Sequence, residues 1–321
     1  VISYYGSEEE PEFSMPFNMN LISFWDYAAA FDPDVHNNPR NATNLRTIVD
    51  SYDASLPLWA QPNYVIGNHD VRRVVSRLGN DTDLARAANV LLFTLRGTPT
   101  MYNGDEIGQK DGYVPPGRRQ DPNCITDYHG LRCRDPERTP LQWNTSNANA
   151  GFSGAGVETW LPVSSDYVNT NVQQQQGDPT SMLSLVSRII ALRNHEAALN
   201  NGLYASFDVI TSPANASENI FAFKRYNSSS FGFAVVANLG TEPAHVQVLH
   251  DFFEVESSVV VLNSKHRVPG NGTIELSDFH IGPSQVLVVQ VKYHGVEDKN
   301  KTIGVIVAGV MGAVFLIAIV G

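Results

Sequence analysis

The stretch "NYVIGNHD", Asn63–Asp70, places an apolar run directly before three polar side chains. Tyr64–Gly67 have the composition of a strand that is buried on both faces of a sheet. Asn68, His69 and Asp70 follow without a spacer. In sheets of parallel strands, the residues after the carboxyl ends of the strands commonly form the binding or catalytic site. Asn and Asp also form ordinary turns at strand ends, so the cluster alone leaves both readings open.

The sequence around this stretch alternates between short apolar runs and helical spacing. Such alternation predicts an α/β fold whose parallel strands are joined by crossover helices, with Asp81 or Thr82 as a helix N-cap. The predicted strands are Phe17–Trp25, Tyr64–Asn68 and Gly97–Gly108, the last of which closes into a turn. The predicted helices are Asn44–Leu56, Val71–Leu78, Asp81–Leu95 and Ser181–Leu199.

Two further regions differ from this pattern. Residues Gly108–Pro179 are rich in Gly, Pro, Asn and Asp, and their tryptophans and cysteines favour an ordered loop over a disordered one. From Gly202 the apolar residues recur with period two, in short runs separated by turn residues. This change predicts a second, antiparallel β domain that ends near Tyr293.

Composition limits the class of ligand. The 321 residues include 33 acidic and 22 basic side chains, for a formal net charge of −11. This balance argues against nucleic acid as a partner and favours a neutral ligand.

The two cysteines and the glycosylation sequons indicate the compartment. Cys124 and Cys133 stand nine positions apart in a polar loop, which favours a short disulfide over a metal site, with two free thiols as the alternative. The density of Asn-x-Ser/Thr sequons favours a secreted protein, which in turn favours the disulfide. The seven sequons begin at Asn41, Asn80, Asn144, Asn215, Asn227, Asn271 and Asn300.

Several motifs occur together in an order that resembles the α-amylase family of glycoside hydrolases. "NHD" is followed about thirty residues later by "GTPTMYNGDEIG", Gly97–Gly108. "RDPERTPLQWN", Arg134–Asn144, is similar to the α-glucosidase branch, which includes the insect digestive maltases. "PFNMNLI", Pro16–Ile22, resembles the sixth barrel strand of that branch.

The resemblance implies a (β/α)8 barrel followed by an antiparallel β-sandwich. Residues 1–200 are expected to hold strands six to eight of the barrel, with the long loop at 108–179. Residues 201–294 are expected to form the sandwich, and residues 295–321 a polar spacer and hydrophobic tail. The chain opens without an initiator Met. It is therefore expected to be a fragment that lacks the family's nucleophile and general acid, which follow strands four and five.

The implied activity is that of a retaining, exo-acting α-glucosidase on maltose, sucrose and short oligosaccharides, without a cofactor or metal. Asp70 matches the third family carboxylate, which stabilises the transition state, and His69 is expected to donate a hydrogen bond to the same sugar. Arg138 matches the arginine that closes the pocket beyond the non-reducing sugar, and Arg134 is its rival. Asp105 and Glu106 are expected to be structural parts of strand eight, because neighbouring strand residues point to opposite faces.

The C-terminal tail predicts attachment to the cell surface. Nineteen residues from Ile303 carry no charge, and as a helix they would span about 28 Å. No Lys or Arg follows, and a polar spacer precedes the apolar run. This pattern favours a glycosylphosphatidylinositol (GPI) signal, attached at Gly295 or Asn300, over a retained transmembrane helix.

A second class of function shares the same fold. Transporter heavy chains resemble these enzymes but are catalytically silent, and they need not keep "NHD". An amylase-fold surface protein that acts as a binding module or receptor is therefore the alternative to an enzyme.

Overall fold

The computed structural model describes residues 2–25, 41–57, 59–129, 132–228, 231–248, 255–265 and 272–293. The helices are α1 (Asn20–Phe24), α2 (Ala42–Ser55), α3 (Val74–Arg77), α4 (Thr82–Thr94), α5 (Pro122–Thr126), α6 (Val172–Gln176), α7 (Met182–His195) and α8 (Ala197–Asn200). The strands are β1 (Asn63–Val65), β2 (Thr98–Thr100), β3 (Leu203–Ser206), β4 (Val209–Ser212), β5 (Ile220–Tyr226), β6 (Phe231–Asn238), β7 (Ala244–Val248), β8 (Val255–Asn263), β9 (Phe279–Ile281) and β10 (Gln285–Tyr293).

The first part of the chain carries the predicted parallel pairing. β1 pairs in parallel with β2, with Tyr64 opposite Pro99. On the other side of β1, Asn18 forms a single parallel bridge to Tyr64. Three segments therefore lie side by side with the same direction, as expected for neighbouring strands of a barrel.

The strand predicted at Phe17–Trp25 is wrong beyond this single bridge. Residues Asn20–Phe24 form helix α1 instead. The side chain of Asn18 accepts a hydrogen bond from the backbone N–H of Asn20 at 2.8 Å. An Asn that bonds to its own backbone two residues on turns the chain, so the extended segment ends as soon as it begins.

The strand predicted at Gly97–Gly108 is also shorter, and the placement of Asp105 and Glu106 on it is wrong. Strand β2 ends at Thr100, and Asp105–Ile107 form a 3₁₀ turn. Gly104 has φ of 98°, a left-handed conformation that favours glycine and breaks the extended backbone. The two acids do not alternate across a sheet.

The longer helices begin where their capping residues predict. Asp81 caps α4 by accepting from the N–H of Leu84 at 3.0 Å, and Asn41 and Ser181 cap α2 and α7 in the same way. Helix α3 is shorter than the predicted Val71–Leu78, because Arg73 has an extended backbone, with ψ of 143°. The predicted helix at Ser181–Leu199 is divided at Glu196 into α7 and α8.

The last third of the described chain is antiparallel, as predicted. One sheet has the strand order β3-β5-β6-β10-β8, and a second has the order β4-β7-β9. The strands expected from "IFAFKRY", "FGFAVVANLG", "SSVVVLNS" and "SQVLVVQVKY" correspond to β5, β6, β8 and β10.

Period-two alternation divides the five-stranded sheet between two apolar clusters. Phe221 and Phe223 pack in one cluster with the helices of the first part of the chain. Ala222 lies on the opposite face, in a cluster shared with the three-stranded sheet. The first face therefore joins the sheet to the helices α2, α4 and α8.

Several predictions fall on residues outside the described ranges. These are the sequons at Asn271 and Asn300, the attachment site at Gly295, and the apolar tail from Ile303. Within the described ranges, none of the helices combines the length and the apolar composition needed to cross a membrane.

Candidate functional site

The predicted polar cluster forms a turn just after β1. The side chain of Asn68 accepts from the backbone N–H of Asp70 at 2.8 Å, so Asn68 braces the turn. His69 and Asp70 are exposed, with 66% and 51% of their side chains accessible. The sequence predicts these two as the groups that meet the substrate, and the turn presents both of them to solvent.

Asp70 is held by two arginines from the long loop. Arg134 Nη1 and Arg138 Nη2 each donate to Asp70 Oδ1 at 3.0 Å. Arg138 Nε also donates to the backbone carbonyl of His69 at 2.7 Å. Arg134 and Arg138 were alternatives for one role in the sequence, whereas the fold brings both to the same carboxylate oxygen.

These contacts keep Asp70 ionised. Desolvation by burial is the largest single influence and raises the pKa of Asp70, but the hydrogen bond from Arg134 and the charges of His69, Arg134 and Arg138 together outweigh it and lower the pKa below its ordinary value. His69 Nε2 lies 3.5 Å from Asp70 Oδ2. The second carboxylate oxygen therefore faces the imidazole, and both groups remain accessible to a ligand.

The buried carboxylate of Asp121 orients the side chain of Arg134 toward Asp70. Asp121 Oδ2 accepts from the backbone N–H and from Nε of Arg134, at 3.0 Å and 2.9 Å. Asp135 in turn accepts from the backbone N–H groups of Gln120 and Asp121, at 2.8 Å and 3.0 Å. Sequence reasoning missed Asp121 and Asp135. The signal was present, since both lie in the same Gly- and Pro-rich loop as the arginines.

The predicted disulfide closes this loop. Cys124 and Cys133 are bonded, with 4.3 Å between their Cα atoms. Arg134 follows Cys133 directly, and the N–H of Asp135 donates to Cys124 Sγ at 3.3 Å. The bridge therefore limits the freedom of the segment that carries Arg134 to Asp70. Closing a loop of this length stabilises the folded state by about 3 kcal/mol.

Arg73 is buried beside the turn and holds neighbouring segments together, a role that sequence reasoning did not predict. Its guanidinium donates to the carbonyl of Asn103 at 2.7 Å and lies 4.9 Å from the ring centre of Tyr102. Its backbone N–H donates to Asp111 at 2.8 Å. Arg73 thereby ties the segment after β1 to the segment after β2.

Asp105 and Glu137 are two fully buried acids in the segments that follow β2. Desolvation by burial raises the pKa of Asp105 to about 7, although the charges of Arg73 and Arg77 oppose the shift. Burial also raises the pKa of Glu137 to about 7. Both oxygens of Asp105 and one of Glu137 have no hydrogen-bond partner. Their burial excludes them as groups that meet a substrate.

The raised pKa values predict that mild acid stabilises the protein. A buried acid with a folded-state pKa near 7 binds its proton more tightly in the folded than in the unfolded state, so the free energy of unfolding falls as pH rises between about 4 and 7. Each such acid contributes up to about 1.4 kcal/mol per pH unit. Asp105→Asn is expected to flatten this slope, measured as melting temperature at pH 5, 6 and 7. An unchanged slope in the variant would contradict the assignment.

The arrangement suits a neutral, hydroxyl-rich ligand. An ionised carboxylate accepts hydrogen bonds from hydroxyl groups, and an imidazole can donate one. The guanidiniums of Arg134 and Arg138 are already engaged by Asp70, which cancels much of their charge. Among the described residues, no three His, Cys, Asp or Glu side chains are grouped so as to hold a metal ion.

Two other arginines of the long loop support its backbone. Arg118 donates to the carbonyl of Thr159, and Arg119 donates to that of Cys124. Glu8, Glu9 and Glu10 lie in exposed bends. Of the five described sequons, Asn80 and Asn215 are exposed, and Asn41, Asn144 and Asn227 are partly buried.

Comparison with known proteins identifies the family. The family model for the catalytic domain of α-amylase matches residues 1–202. A salivary α-glucosidase of Aedes aegypti is 31% identical over 90% of this chain and 47% of its own length. The human amino acid transporter heavy chain SLC3A1 is 33% identical over 74% of this chain and 30% of its own length.

Solved structures show the same fold. A mutant of the trehalulose synthase MutB superposes with a TM-score of 0.71 at 28% identity, over 91% of this chain and 53% of that one. MutB from Pseudomonas mesoacidophila MX-45 gives a TM-score of 0.68 at 27% identity, over 88% and 51%. The chain spans about half the length of the relatives that it matches. With the family match covering residues 1–202, the chain belongs to the α-amylase family.

Proposed function

We propose that the whole protein is a retaining, exo-acting α-glucosidase that releases glucose from maltose, sucrose and short oligosaccharides. The observation that carries the proposal is the pairing of an accessible carboxylate, Asp70, with Arg134, Arg138 and His69. The names of the insect relatives, which are α-glucosidases and maltases, support the substrate class.

Asp70 acts as a stabiliser of positive charge in this proposal. Glycoside cleavage develops charge on the sugar ring as it flattens, and hydrogen bonds to the sugar hydroxyls strengthen in the transition state. Arg134 and Arg138 hold one oxygen of Asp70, and the other, beside the imidazole of His69, remains accessible to the sugar. His69 donates to a hydroxyl of the same ring. Arg138 limits the pocket beyond the terminal sugar, which would restrict cleavage to chain ends.

Neither buried acid, Asp105 or Glu137, is proposed as the nucleophile or the general acid. A retaining mechanism needs two carboxyl groups about 5–5.5 Å apart on either side of the scissile bond. Asp105 and Glu137 are fully buried, and Asp121 is engaged with Arg134. The match of Asp70 to the third carboxylate of the family, rather than this exclusion, is what assigns it that role in the proposal.

The experiment that tests the function measures hydrolysis of maltose and the anomer released from sucrose. The whole protein is incubated with each sugar, and the glucose from sucrose is followed by proton NMR before it equilibrates, because sucrose contains only the glucose unit that is transferred. We expect α-glucose, because two successive displacements retain the configuration. Early release of β-glucose from sucrose would exclude retention, and absence of release from maltose and sucrose would exclude the activity.

A catalytically silent binding protein is the second candidate. The 33% identity to a transporter heavy chain favours it. Keeping His69 and Asp70 accessible favours the enzyme, since a silent protein has no need of a carboxylate held for a sugar. The maltose experiment separates the two directly.

The remaining architecture and the localisation are part of the proposal. The two antiparallel sheets after Gly202 would form the C-terminal β-sandwich, and residues 1–200 would contribute strands six to eight of the barrel. The sequons and the salivary relatives support secretion and glycosylation. The exposed Asn80 and Asn215 are the described sequons best placed to carry glycans.

We expect the protein to be anchored at the cell surface by a GPI lipid rather than by a spanning helix. The polar spacer and uncharged terminal run support this. Phosphatidylinositol-specific phospholipase is expected to release the protein from intact cells. Retention after treatment, with recovery of peptides from residues 303–321, would show that the apolar segment remains in the mature protein.

A further inference from the structure

Three aromatic rings form a cluster on the long loop, outside the group of residues around Asp70. The rings of Tyr113 and Tyr128 meet edge to face, with 5.8 Å between their centres. Tyr128 and His129 meet in the same way at 5.3 Å. Tyr113 is 68% exposed, which is unusual for a large aromatic side chain that already has a ring partner.

The lower part of the cluster is fixed. The hydroxyl of Tyr128 accepts from the backbone N–H of Val114 at 2.7 Å, and the guanidinium of Arg119 lies 4.2 Å from the centre of its ring. The ring of Tyr128 is thus held in place by Val114 and Arg119. Tyr113 rests on it and presents most of its surface to solvent. A rigid aromatic surface of this kind costs little conformational entropy when a ligand stacks on it.

The cluster is directly connected to the turn that carries Asp70. Arg72 stands two residues after Asp70, and its Nη2 donates to the carbonyl of Tyr128 at 3.3 Å. Tyr128 and His129 also lie inside the loop closed by Cys124 and Cys133, which delivers Arg134 to Asp70. Arg72 therefore links the segment that follows Asp70 to the backbone of Tyr128, on whose ring Tyr113 packs.

The charges around the cluster favour a neutral ligand. Arg72 lies 3.7 Å from the carboxylate of Asp111, and Arg119 is stacked on Tyr128. Neither cation is therefore free to attract an anion strongly. An exposed ring offers its face to the C–H groups of a sugar, and the imidazole of His129 can hydrogen-bond to a hydroxyl.

We propose that Tyr113 is the stacking surface of a subsite for a glucose unit on the leaving-group side, beyond the first one, of an α-linked oligosaccharide. The subsite rests on the proposed function, since the terminal glucose of the same molecule would lie at His69 and Asp70. Tyr128 positions the ring of Tyr113. His129 contributes a polar contact.

The test compares short and long substrates in the whole protein. We expect Tyr113→Ala to raise KM for maltotetraose roughly five- to tenfold with little change in kcat, and to leave maltose kinetics nearly unchanged. Tyr113→Phe keeps the ring and is expected to behave like the wild type. Phe231→Ala, which removes a partly exposed ring from strand β6, is the matched control. Equal effects on maltose and maltotetraose, or no effect on either, would overturn the subsite.

A binding measurement separates this inference from the proposed activity. Calorimetric titration with maltotetraose is expected to show weaker affinity in Tyr113→Ala, and β-linked cellotetraose is expected to bind poorly to both proteins. If no sugar is hydrolysed but the affinity for maltotetraose depends on Tyr113, the proposed function fails and the subsite stands. If hydrolysis occurs and neither affinity nor KM depends on Tyr113, the subsite fails alone.

Discussion

Asp70→Asn is expected to lower the kcat of the whole protein about 100- to 1,000-fold, corresponding to a loss of about 3–4 kcal/mol in the transition state. The amide is nearly the same size as the carboxylate, but it carries no negative charge to meet the positive charge on the sugar. Charge-assisted hydrogen bonds are about twice as strong as neutral ones, and this one should be strongest in the transition state. The loss should therefore fall on kcat more than on KM.

The surroundings of Asp70 add a second reason for a large effect. Arg134 and Arg138 both donate to Oδ1, so the variant leaves two guanidiniums without their shared anion. Folding should survive, because Asp70 is half exposed and water can solvate the freed groups.

The control for this variant is the same chemical change at an exposed carboxylate elsewhere. Asp127→Asn removes a charge from the disulfide-closed loop and is expected to change kcat less than twofold. Circular dichroism and the melting temperature check that both variants are folded. A raised KM with unchanged kcat in Asp70→Asn would show that Asp70 binds substrate and transition state equally.

Arg225→Met is expected to reduce the free energy of unfolding by about 3–5 kcal/mol. Arg225 is fully buried in β5 and donates to the carbonyls of Thr94, Gly202 and Leu203, at 2.7 Å, 3.0 Å and 3.2 Å. These carbonyls belong to the end of α4 and the start of the antiparallel sheet. Methionine fills much of the volume but leaves three buried acceptors unpaired.

The measurement is denaturant unfolding of the whole protein, with Arg132→Met as the matched control. Arg132 is exposed, so the same change there should cost less than about 0.5 kcal/mol. Arg225→Lys should lie between the two, since one ammonium cannot reach all three carbonyls. A loss below about 1 kcal/mol in Arg225→Met would show that the carbonyls find other partners.

Local patterns predicted much of the fold. The cap at Asp81 and the period-two runs of β5 and β10 depend on side chains within a few residues of each other. Such signals are written in the sequence itself. The predictions failed where a single side chain or a glycine turned the backbone, as at Asn18 and Gly104, because those turns compete with an extended run of similar composition.

The sequence by itself determined where the candidate site begins. An apolar strand that runs into Asn68, His69 and Asp70, with the motifs that follow it in order, identifies the turn and the family resemblance without coordinates. The sequence also favoured pairing of the two cysteines nine residues apart over two free thiols, because a short loop brings them together at little cost, and the structure confirms the bond.

Only the tertiary structure decided which groups surround Asp70. Arg134 and Arg138 lie 64 and 68 positions after Asp70 in the sequence, and no periodicity links them to the turn. The long loop places both on one oxygen of Asp70, a contact that the sequence did not predict for either. Asp121, Arg73 and the ring of Tyr113 acquire their roles in the same way. Hydrogen-bond geometry and burial depend on segments that pack together across the whole chain, whereas sequence patterns record mainly what neighbouring residues do.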